Sequence, residues 1–130
     1  FFFLYYNYYM KISILIISLL FFTSSSVVAA DSWSSKDKAL AATMTTLLVV
    51  DWGQTINIAR GPSYHEINPI LGLHPSEQSV HIYMGVALVG TLAISHVLPS
   101  KYRTWFMGSV IALELPYIYN NYQIGLKMQF

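Results

Sequence analysis

The sequence predicts an all-α fold: an N-terminal signal peptide followed by about three antiparallel transmembrane helices, with a structured loop between the first two. Three observations lead there. The chain of 130 residues is 55% hydrophobic and only 10% charged, where soluble domains carry about a quarter charged residues. Its apolar stretches approach the roughly 20 residues needed to cross about 30 Å of hydrocarbon. Between them stand clusters of Gly, Pro and Ser, which end and restart helices. The length suits a single domain.

Residues 1–9 contain only Phe, Leu, Tyr and Asn and are expected to be translated sequence upstream of a start at Met10. From Met10 a positive charge at Lys11, an apolar core over 12–22, a Ser/Thr stretch and Val28-Ala29-Ala30 fit a signal peptide over 10–30 cleaved before Asp31. An uncleaved anchor running on through Val28 is the alternative. Residues 31–38 are polar and read as a flexible linker, with Ser34 or Ser35 as N-cap and Asp37 in the first helical turn. The helical membrane domain then covers 39–124, leaving 125–130 as a tail.

Its first helix is expected over 39–59. Asp51, Gln54 and Thr55 stand at i, i+3 and i+4 and so share one face. Arg60-Gly61-Pro62 ends that helix. The connection to about Gln78 is longer than packed helices usually need. Within it Pro69 pushes Asn68 out of the helical region, a single turn over 69–71 can end at Gly72, and Pro75-Ser76-Glu77 looks like the cap of the next helix. That helix, over 79–98, carries Gly85, Ala87, Gly90, Thr91 and Ala93, small residues that permit close helix approach. Pro99-Ser100-Lys101 makes a turn, and the last helix follows over 103–123 with a kink expected at Pro116. Trp105 at one end and Tyr117, Tyr119 and Tyr122 towards the other suit aromatic belts.

Several classes of function find no support. Net charge is +1 with scattered Lys and Arg, so nothing marks a nucleic-acid partner. The absence of cysteine removes disulfides, thiolate nucleophiles and Cys-based zinc sites. No Gly-rich phosphate loop or Gly-x-Ser-x-Gly elbow occurs. Membrane orientation stays open, because a cleaved signal places Asp31 outside whereas Lys101 and Arg103 favour the inner side for the turn that holds them.

At about 1.5 Å per residue, Asp51 and Glu114 lie at similar depth, roughly 12 Å from the long-loop side. Gln54 and Thr55 stand between Asp51 and the loop, Tyr117 and Asn121 continue from Glu114 at i+3 and i+7, and the loop adds Glu66 and Asn68. These eight residues form the candidate polar site. An intramembrane carboxylate costs about 2.5 to 3.5 kcal/mol on insertion scales, so two at one depth either serve a proton or cation or form a hydrogen-bonded pin between helices. His65, His74 and His81 lie on the same side and, with Glu66, supply ligands that a divalent cation takes. No other cofactor is expected. His96 belongs to the opposite end.

The combination Asp51-Trp52-x-Gln54-Thr55, Glu66-x-Asn68-Pro69-Ile70-Leu71-Gly72 and Pro75-Ser76, ahead of an apolar helix opening with Val80 and Tyr83, resembles small uncharacterised bacterial membrane proteins over about residues 50–122. The resemblance implies a helical membrane protein and names no reaction. The expected role is non-catalytic, in the bacterial inner membrane after signal-directed export, binding lipid, a membrane-protein partner or further copies of itself. The alternative is a membrane enzyme or ion-handling protein that uses the carboxylates.

Overall fold

The computed structural model describes residues 31–130, and these form three helices: α1 (Ser35–Arg60), α2 (Glu77–Val97) and α3 (Ser100–Gln123). Among the described residues there is no strand. The expected upstream segment, signal peptide and cleavage point lie outside the described residues.

Helix α1 takes Ser34 as its N-cap with Asp37 in its first turn, as expected, and so begins ahead of the 39–59 range. The Ser34 hydroxyl accepts from the Asp37 N–H at 3.1 Å, and the Asp37 carboxylate accepts from the Ser34 N–H at 3.0 Å. This reciprocal capping box satisfies two otherwise unpaired donors. The linker expected over 31–38 is thus corrected, since residues 35–38 are the first turn of α1.

Ser76 caps α2, its side chain accepting from the Ser79 N–H at 3.1 Å. Helix α3 starts at Ser100 and has no side-chain cap of its own. Its first N–H instead donates to Asp31 at 2.9 Å, a carboxylate set where the helix dipole favours one. The helix continues through Pro116 to Gln123.

The three helices are consecutive and antiparallel, and α1 packs along both others while α2 and α3 touch each other less. Apolar packing forms two centres along α1. Met44, Leu48 and Met107 bury each other near the Ser34 end, flanked by Leu88, Leu92 and Phe106. Ile56, Val80 and Met84 do so near the loop end, flanked by Trp52 and Tyr83.

Residues 125–130, expected as a tail, return along α1. Gly125 (φ 86°) turns the chain in the left-handed region that glycine enters without a Cβ clash. The Leu126 N–H donates to the Asn121 carbonyl at 2.9 Å, and the Gln129 N–H reaches the Gly53 carbonyl at 3.0 Å. Asn57 donates to the Lys127 carbonyl at 2.9 Å, and the Phe130 ring meets Trp52 edge-on at 6.5 Å. The segment is a strap across α1, with Leu126 buried beneath it.

Among the described residues one helix, α2, is long and apolar enough to cross a membrane. Only 17% of its most apolar stretch is buried. Helices α1 and α3 miss that standard because they carry the polar residues, among them Asp51, Gln54 and Asn57 on α1 and Arg103, Glu114 and Asn121 on α3.

Candidate functional site

Gln54 and Thr55 are buried on the face that α1 turns inward. Asn121 of α3 donates its amide to the Gln54 carbonyl oxygen at 3.1 Å, joining the two helices near the loop end. Asp51 lies half-buried one turn below, and besides this burial the charges of Glu114 and, more weakly, Glu66 act on it. Glu114 and Glu66 thus each lie within charge–charge range of Asp51. Tyr117 is not part of this path, since it is 45% exposed and faces the surroundings.

Glu66 and Asn68 serve the loop that holds them. The Glu66 carboxylate, itself buried, accepts from the Asn68 N–H at 2.7 Å. The Asn68 side-chain oxygen then accepts from the Ile70 N–H at 3.0 Å. The Asn68 carbonyl accepts from Leu71 and Gly72 at 3.2 and 3.0 Å, and the Glu66 N–H closes the neck on the Leu73 carbonyl at 3.0 Å. Gly72 (φ 78°) ends the turn, as its position after Pro69 predicts. Each polar group here replaces a backbone partner that an irregular segment would otherwise lack.

The histidines divide. His65 and His74 stand edge to face, ring centres 4.7 Å apart, whereas His81 accepts at Nδ1 from the Trp52 indole N–H at 3.1 Å. The expected trio therefore does not assemble, and among the described residues no three His, Asp or Glu side chains converge as metal ligands. At the other end, His96 stacks on Trp33 at 6.4 Å.

That other end contains a polar centre that sequence reasoning passed over. Arg103 is fully buried and donates in four directions. Nε reaches the Ser95 carbonyl at 2.8 Å and Nη1 the Asp37 carboxylate at 3.3 Å. Nη2 reaches the Asp31 and Leu98 carbonyls, each at 3.0 Å. The guanidinium also lies over the Trp33 ring at 4.9 Å. It thereby satisfies carbonyls at the end of α2 that have no helical partner, and it places its charge where that helix end is negative. Hydrogen bonds from the Ser34 N–H and then its hydroxyl, with the Arg103 charge adding to them, hold Asp37 below the usual carboxylate range. A signal was available: a chain with so few charges has to partner an arginine set among apolar residues.

Chemically, the Glu66 carboxylate is taken up by the loop's own backbone, and the Arg103 centre joins segments. Compared with known protein families, curated proteins and solved structures, the chain matches none.

Proposed function

We propose that this chain is a small integral membrane protein of the bacterial inner membrane, non-catalytic, with all three helices crossing the bilayer and their outer faces available to lipid or a protein partner. One observation carries the reading: large apolar side chains stand on the outside of the helices while several polar ones are buried beside the apolar core. Arg103, Asp37, Ser95, Gln54, Thr55 and Glu66 are buried, while Ile82, Val86, Val89, Leu113 and Trp105 are each more than 60% exposed. In water that surface would cost about 25 cal/mol for each Å² of apolar area left exposed. In hydrocarbon it costs nothing, and burying the polar side chains among themselves becomes the requirement. Helices α1 and α3 pack along α2 and, at roughly 39 and 36 Å by their 26 and 24 residues, are long enough to cross with it. Alkaline carbonate extraction of membranes tests this: the protein stays in the pellet, and its release into the supernatant would end the reading.

A second reading, an ion- or proton-handling protein, is favoured by the like charges that act on Asp51. It predicts that Asp51→Asn melts no lower than wild type in mild detergent, and that divalent cations raise the melting temperature of wild type alone. A lower melting temperature for Asp51→Asn with no response to cations would return the acid to architecture.

A further inference from the structure

We propose that His65 and His74 form a two-imidazole site for a divalent transition metal, of the Zn²⁺ and Ni²⁺ kind, on the neck of the loop between α1 and α2. The loop's hydrogen bonding creates the pair. Because the Glu66 N–H bonds the Leu73 carbonyl, residues 66 and 73 face each other across an antiparallel neck, and 65 and 74 are the next pair outward. Paired positions of this kind bring Cβ atoms within about 5 Å. Glu66 is buried and turned to the loop's own backbone, while His65 and His74 are both exposed.

The rings stand 4.7 Å apart centre to centre. A metal bonded at about 2.1 Å to one nitrogen of each ring requires ring centres separated by roughly 5 Å, so small side-chain rotations close the site. The backbone around it is already fixed. On one side, the Tyr64 hydroxyl donates to the Ile124 carbonyl at 3.0 Å. On the other, Pro75 is buried and Ser76 caps α2. Imidazole is a good ligand for these borderline metals, and two protein ligands leave the remaining coordination positions to water or to a group from outside. His81 is not part of the site, because its Nδ1 is engaged by Trp52. The inference stands whether or not the helices cross a membrane.

The test is titration of Ni²⁺ and of Zn²⁺ into the full chain, purified in mild detergent with a tag free of histidine and followed by calorimetry. One saturable site is expected. His65→Ala and His74→Ala should each weaken it at least tenfold, and His81→Ala should leave it unchanged. Helical content by circular dichroism should be the same in wild type and the two loop variants, since both rings project from the loop. No saturable binding in wild type would overturn the proposal. So would unchanged affinity in either loop variant, or an equal loss in His81→Ala.

Discussion

Arg103 is the residue on which the Ser34 end depends. Its guanidinium fork bonds α1, the end of α2 and the segment ahead of α1 at once, and a lysine, with one compact ammonium, cannot reproduce that planar set of donors. Truncating one partner of a buried ion pair leaves the other charge uncompensated, which is far more damaging than losing both. Arg103→Ala should therefore lower the melting temperature in detergent by more than about 10 °C. Arg103→Lys should fall between that variant and wild type, and Arg103→Ala with Asp37→Ala should melt higher than Arg103→Ala alone. A pH effect accompanies the pair. The Asp37 carboxyl is held below its ordinary value in the fold, so its contribution is complete above the unfolded value of about 4 and is lost as pH falls through the lower folded value. Acidification below about pH 4 should thus destabilise wild type more than Asp37→Asn, as thermal melts in buffers on either side of that point would reveal. The partnership itself was not legible in the sequence, although both residues were. Asp37 and Arg103 are 66 positions apart, and only the register of α3 against α1 brings them together.

At the level of elements, the local signals were the readable ones. Ser34 with Asp37, Ser76 before α2 and Gly72 after Asn68-Pro69 act within three or four residues of themselves, and each stands in the role that its chemistry predicts. The helix starts moved outward for two reasons: α1 has a full capping box, and α3 borrows Asp31 from elsewhere as its cap. The strap could not be read, because it is held mainly through backbone groups of residues 127 and 129 that no side-chain pattern announces. Gly53 is where the strap depends on sequence. A Cβ there would collide with the Met128 side chain and come within 3.2 Å of the Phe130 ring. Gly53→Leu should accordingly displace residues 126–130 and expose Leu126, despite leucine's better helix propensity. Ending the chain after Gly125 should have a similar effect. Since both changes remove the same contacts, their costs should fall short of adding by about 1 kcal/mol. Denaturation of the two single variants and the double variant measures that coupling, and simple additivity would show that the strap does not rest on Gly53.

For the whole molecule the question is how many helices cross. Composition alone supports α2, while the packing of α1 and α3 along it argues that the three cross together. The two arrangements differ in where chain segments emerge, and a chain without cysteine makes the difference measurable with single introduced thiols. Ser32, ahead of α1, Ser63, in the long loop, and Lys101, at the start of α3, are all exposed. The fold places Ser32 at the same end as Lys101, since Asp31 bonds the Ser100 N–H, and Ser63 at the opposite end of α1. If all three helices cross, a membrane-impermeant maleimide added to sealed vesicles labels Ser32→Cys and Lys101→Cys alike, and Ser63→Cys oppositely. If α2 alone crosses, Ser32→Cys must label with Ser63→Cys instead, because α1 would then lie wholly on one side. The expected outcome is the first. It follows from the proposed reading, in which the exposed apolar side chains of α2 (Ile82, Val86 and Val89) and of α3 (Trp105 and Leu113) face hydrocarbon and α1, packed along both helices, crosses with them.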